Sequence, residues 1–183
     1  MTQFTAGDTV HCHDLMTING QSVRIPDPGL LVHLQFRRYA GCPVCNLHMR
    51  SVAARHDEIL AAGIREVAVF YSEPETMLGF QGKLPFAAVA DPGKKLYAEF
   101  GVGTMPYTNA LRLRSWRAAA RGLASAPTLR GIGSKGQSYL GLPADFLIRP
   151  DGTILAVKYG KYTDDHWDVD ELLALAQVER SSR

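Results

Sequence analysis

Cysteine is scarce in this chain. Three occur in 183 residues, Cys12, Cys42 and Cys45, and so small and odd a number does not make a disulfide framework. No apolar run approaches the roughly 18 residues that a membrane span needs. The opening "MTQFTAGDTV" has neither the basic nor the apolar stretch of a secretory signal, so a cytoplasmic location is expected. The net charge of +2 is too small to mark a nucleic-acid binder. Repeats and low-complexity tracts are absent. Acidic residues are missing from 100–144, which carries Arg112, Arg114, Arg117, Arg121, Arg130 and Lys135.

What is present is ordinary for one globular domain over residues 1–183, with 46% hydrophobic and 21% charged residues. Residues 8–25 read as a hairpin turning at Asn19-Gly20, a dipeptide suited to tight turns. "LLVHLQF", "REVAVFY" and "PFAAVAD" have the length of buried strands. Between the first two, Cys42 to Ala62 reads as a helix ended by Gly63, with Val44, Leu47, Val52, Ile59 and Leu60 on one side. Ser72 and Glu75 have capping-box spacing for a helix to about Gly82. Asp91 caps another, with Pro92 at its first position and Gly101 at its end. "PADFLIRPDGTILAVKYG" forms a final hairpin, then a helix over "DVDELLALAQV" and a polar tail at 179–183. Alternating strands and helices imply an α/β fold, a central mixed β-sheet flanked by helices. The acid-free stretch, about 104–141, interrupts the alternation as a basic helical insertion before the last hairpin. Its Trp116 is expected to pack on the domain, and its "GIGSKGQS" lacks phosphate-loop spacing.

The chemistry concentrates in "QFRRYAGCPVCNLHMRSV". A helix starting at or just after Cys42 sets that sulfur beside unpaired backbone N–H groups and the positive end of the helix dipole, which favours thiolate. Cys45, three residues on, shares the face and can close a C-x-x-C disulfide. Pro43 suits the first turn. A metal reading would use Cys42, Cys45 and His48 for zinc or copper. Zinc needs four ligands, and strand alternation keeps His11 and His13 on the face opposite Cys12.

At these residues the sequence resembles the thioredoxin-fold superfamily, specifically the peroxiredoxin-like branch of the alkyl hydroperoxide reductase / thiol-specific antioxidant group. "GDTV…DLMTINGQSVRIPD" is similar to the family's N-terminal hairpin, and "LLVHLQFRRYAGCPVC" to its first strand and active-site loop. "VADPGKKLYAEFGV" and "LPADFLIRPDGTIL" resemble its D-P-x-x-x-x-Y-x-x-F-G segment and its last hairpin. The resemblance implies a thioredoxin-like fold and a cis bond at Leu142-Pro143, with Pro143 presenting backbone to a substrate chain. One feature departs from the family. Its P-x-x-x-T-x-x-C pattern would place threonine and proline before Cys42, where Tyr39 and Gln35 stand; counted from Cys45, the positions hold Cys42 and Arg38.

The reading is a thiol-disulfide oxidoreductase in which Cys42 attacks a disulfide or hydroperoxide and Cys45 resolves. Tyr39 offers a hydroxyl to substrate, and Arg37 or Arg38 a charge to the thiolate, while strand alternation leaves one of the two arginines solvated. No cofactor is expected. The partners are a cellular dithiol reductant and the oxidised substrate, and a homodimer is compatible with them. The rivals are a dedicated thiol peroxidase, the metal module and a scaffold acting through the basic insertion. Cys12 is expected to be a buried filler, His48 a surface or core-edge histidine, and Tyr97 and Phe100 core.

Overall fold

The computed structural model describes residues 2–104 and 140–181. The basic segment with Trp116 and "GIGSKGQS" lies outside them. The elements follow the order read from the sequence. β1 (His13–Met16) and β2 (Ser22–Ile25) pair antiparallel as a separate two-stranded sheet. Then come β3 (Leu31–Phe36), α1 (Pro43–Ala54), α2 (His56–Ala61), β4 (Ile64–Phe70), α3 (Pro74–Gln81), β5 (Ala87–Ala90) and α4 (Lys95–Glu99). The hairpin of β6 (Ala144–Ile148) and β7 (Ile154–Tyr159) precedes α5 (Val169–Ser181). The main sheet runs β5-β4-β3-β6-β7, parallel across β5-β4-β3 and antiparallel across β3-β6-β7. This is the thioredoxin-like arrangement, with β3 at the centre. No helix among the described residues is long and apolar enough to cross a membrane.

Local chemistry accounts for the boundaries. Gly20, Gly63 and Gly101 all have positive φ, in the hairpin turn and just past two helices. The Asp91 carboxylate accepts from the backbone N–H of Lys95 and Leu96, so it caps α4 as expected. The first helical residue is Lys95, however, because Pro92-Gly93 forms a turn and Lys94 takes a left-handed φ of 53°. The helix expected over Cys42 to Ala62 breaks at Arg55 into α1 and α2. Leu47 and Leu60 are exposed; the buried stripe is Val44, Cys45, His48, Met49, Val52 and Ile59. Ser72 does not cap α3, whose N-cap is Glu73 without a side-chain bond. A reciprocal capping box forms instead at Asp168 and Glu171, each accepting from the other's N–H. The helix it starts continues to Ser181, where a polar tail was expected, and Glu179 is buried on Arg149 at 2.7 Å.

Alternation along β3 divides the core. Val32, Leu34 and Phe36 face one way. There Phe36 meets Tyr97, Phe100 and Phe146 at ring-centroid distances of 5.0, 5.2 and 5.7 Å. His33 and Gln35 face the other way, into a buried polar cluster. His33 Nδ1 lies 2.9 Å from Glu66 and Nε2 lies 3.1 Å from Asp145. Gln35 donates to Glu66, and Arg37 reaches Gln35 at 2.7 Å and Asp145 at 2.5 Å. Arg37 also donates to His48 Nε2 at 2.9 Å, and the His48 ring stacks on His166 at 3.7 Å. Burial lowers the His33 imidazole, but the charges and hydrogen bonds of Glu66 and Asp145 outweigh it and raise its pKa to about 9. Asp145 is penalised by burial yet ends well below the usual carboxylate range, held by Arg37 and His33.

The ends of the undescribed segment meet at one place. Thr104 and Gly141 form an antiparallel bridge, and Leu142 N–H donates to Gly103 at 3.3 Å. Gly141 lies against Tyr71, whose hydroxyl would sit 2.5 Å from any β-carbon there.

Asp145→Asn leaves the buried Arg37 guanidinium without its anion, and we expect a loss of about 3–5 kcal/mol in urea unfolding. The raised pKa of His33 contributes stability that is complete below the unfolded value of about 6.5. That contribution is lost as pH rises through about 9. The stability gap between wild type and His33→Gln is therefore expected to narrow across that interval; a gap that stays constant would contradict the assignment.

Candidate active site

The site forms where β3 gives way to α1. Cys42 is the N-cap residue of α1, extended at φ −64° and ψ 115°, with Pro43 beginning the helix. Its Sγ accepts from Cys45 N–H at 3.3 Å, the role an oxygen plays in an ordinary cap. Cys45 Sγ donates to the same sulfur at 2.7 Å, so both thiols are free and in contact. Cys42 has no exposed surface and Cys45 is 3% exposed.

Burial alone would raise the Cys42 thiol. The hydrogen bond from Cys45, the Arg38 charge, Cys45 N–H and a hydrogen bond from Arg38 outweigh it, bringing the pKa down to about 6. Cys45 goes the other way: burial, its bond to Cys42 and the negative charge there hold it well above the ordinary thiol range. The two sulfurs thus differ, Cys42 favouring the thiolate and Cys45 the thiol.

Arg37 and Arg38 are both buried, against the expectation that one would be solvated. They do diverge: Arg37 enters the carboxylate cluster, and Arg38 approaches the thiolate. The Arg38 guanidinium lies 5.5 Å from the Tyr39 ring centre. Its Nε is buried with no hydrogen-bond partner among the described residues. Tyr39 is buried, and desolvation together with the Cys42 charge pushes its hydroxyl up to about 12. Tyr71 follows: its pKa is raised by burial first, opposed by Arg38 and supported by both cysteines. Sequence reading missed Tyr71, which is the residue immediately after β4 and in the parallel sheet lies beside the end of β3.

Other expectations are corrected. The Leu142–Pro143 bond is not cis; among the described residues the cis bond is Ile25–Pro26. Leu142 N–H is committed to Gly103 and the Pro143 carbonyl accepts from Gly160 at 2.9 Å, which leaves less backbone for a substrate chain. His48 is buried, bonded to Arg37 rather than poised at the surface. Among the described residues no group of three or more His, Cys, Asp or Glu is placed to hold a metal. Cys12 is exposed, with Arg24 Nε donating to its sulfur at 3.1 Å.

The sequence matches the AhpC/TSA family over residues 6–157. No curated protein matches it. Solved structures share the fold. The peroxidoxin BcpB from Mycobacterium tuberculosis is 18% identical and superposes with a TM-score of 0.70, covering 96% of this chain and 98% of its own. The reduced 2-Cys peroxiredoxin of Plasmodium vivax is 12% identical, with a TM-score of 0.68 over 97% of this chain and 83% of its own. A putative thiol:disulfide interchange protein DsbE from Chlorobium tepidum is 18% identical, with a TM-score of 0.60 over 98% and 99%.

Alkylation of the reduced protein by iodoacetamide is expected to follow a titration with its midpoint near 6, the value for Cys42. In Arg38→Met the midpoint moves up toward the ordinary thiol value of about 8.5. An unmoved midpoint would remove Arg38 from the account.

Proposed function

The chain belongs to the AhpC/TSA family, and from that membership and the thiol pair we propose a thiol-dependent oxidoreductase cycle run by Cys42 and Cys45. The observation that carries it is the 2.7 Å contact between the Cys42 sulfur, whose pKa is lowered, and the Cys45 sulfur, whose pKa is raised. With a hydroperoxide, the Cys42 thiolate attacks the terminal oxygen. The O–O bond breaks, the alkoxide leaves and takes a proton, and Cys42 becomes a sulfenic acid. Cys45 sulfur then attacks Cys42 sulfur, the hydroxyl departs as water with the Cys45 proton, and a disulfide forms. A cellular dithiol, as a cytoplasmic setting supplies, returns both thiols by exchange. With a disulfide substrate the first product is a mixed disulfide on Cys42, resolved by the same attack. Both thiols belong to one chain, so the cycle needs no cofactor and no second copy, though a homodimer would not impede it.

The first-step substrate favoured by the geometry is small. Cys42 is fully covered, and the backbone around Pro143 is engaged internally. A hydroperoxide also finds a donor ready: Arg38 Nε, buried and unpartnered among the described residues, can hydrogen-bond a peroxide oxygen. This donor stands in for the threonine hydroxyl that the sequence lacks, with Tyr39 beside it. Disulfide reduction is the second reading, supported by the C-x-x-C spacing.

Single-turnover assays on the reduced protein separate the readings. Cumene hydroperoxide is expected to be consumed faster than a small aromatic disulfide. Cys42→Ser is expected to abolish both reactions, and Cys45→Ser to stop at a sulfenic acid that dimedone traps. Unchanged turnover in Cys42→Ser would sink the proposal.

A further inference from the structure

Between Arg38 and Cys42 the chain passes through Tyr39, Ala40 and Gly41, none of which lies in a helix or strand. All three are buried, and Ala40 is fully so. Buried backbone in such a loop must find partners outside the regular ladders. Ala40 finds them in side chains from three places. Its N–H donates to Ser72 Oγ at 2.9 Å, beyond the end of β4. Its carbonyl accepts from Asn46 Nδ2 at 2.8 Å, on α1, and from Gln81 Nε2 at 3.0 Å, at the end of α3. Gln81 Nε2 also donates to Asn46 Oδ1 at 2.7 Å, so the two amides brace each other. Gln81 is buried, and its own Oε1 has no partner among the described residues. A buried amide with one end unsatisfied costs free energy, so its use lies in its donor end.

The position of the clamp gives it a chemical consequence. Ala40 is midway between the cation and the sulfur that it activates. We infer that Ser72, Asn46 and Gln81 are positioning residues: they fix Ala40, and through it hold the Arg38 guanidinium against Cys42 Sγ. None of them touches the reacting atoms. The inference rests on the proposed role of Cys42 as the attacking thiolate. It also explains why Ser72, three residues before Glu75, leaves α3 uncapped: its oxygen is taken by the loop.

The test is made on the reduced full chain without substrate. Cys42 is titrated by ultraviolet thiolate absorbance in wild type, Ser72→Ala, Asn46→Ala and Gln81→Met, none of which adds charge. Each variant is expected to raise the Cys42 midpoint by about one pH unit and to speed hydrogen exchange at Ala40 and Gly41. Ser72→Thr keeps the acceptor and is expected to titrate as wild type. Asn46 is half-buried and is the variant to rely on if Gln81→Met does not fold. Variants that melt earlier but titrate unchanged would show a purely structural role and overturn the inference. Because no turnover is read, a wild type inactive on hydroperoxide and disulfide would count against the function alone.

Discussion

Two consecutive guanidiniums buried on opposite sides of one chain end are the constraint from which the rest follows. A charge removed from water must meet an opposite charge. Arg37 meets Asp145 on one side of the sheet. Arg38, one residue on, turns to the other side and meets the Cys42 sulfur. Extended backbone sends neighbours in opposite directions, so a single dipeptide supplies the core with a cation and the site with another. The carboxylate cluster is balanced, with Glu66 and Asp145 against His33 and Arg37. The thiol pocket reaches balance only when Cys42 is ionised, and the buried arginine thereby favours thiolate.

That pairing also ranks the two sulfurs. One lies at the mouth of the helix, accepting from Cys45 N–H and facing Arg38; the other is a turn inside it, surrounded by core. Removing water strengthens each of these interactions, since the effective dielectric is low. Arg38, Tyr39 and Tyr71 all lie close enough to the cysteines to feel their charge. The two phenols are raised in pKa and stay protonated beside the sulfur.

Much of this was legible in the chain. Gly20, Gly63, Gly101 and Asp91 announced their turns and cap because those geometries depend on local backbone chemistry alone. The C-x-x-C pair at a strand-helix junction was legible for the same reason. What escaped notice depended on distant partners. Nothing near His33 predicts Asp145, 112 positions away. Ser72 has a neighbour at cap spacing, yet its hydroxyl serves Ala40, 32 residues back. A reading as one continuous helix puts Leu47 and Leu60 on its apolar stripe, but Leu47 lies off the buried stripe of α1, and Leu60 follows the break at Arg55. Local rules describe where elements begin and end; which polar groups meet inside is decided only once the sheet is assembled.

The bridge between Thr104 and Gly141 has an evolutionary corollary. Thr104 and Gly141 are held together by a neck one residue pair wide, between α4 and β6. Closing a longer loop across such a neck adds cost only logarithmically in its length. Changes of chain length between positions 104 and 141 are therefore expected to leave the register of β6 unchanged. Gly141 itself cannot vary so freely, since any side chain there collides with Tyr71. Length variation between related chains should therefore fall between these two positions and stop at that glycine.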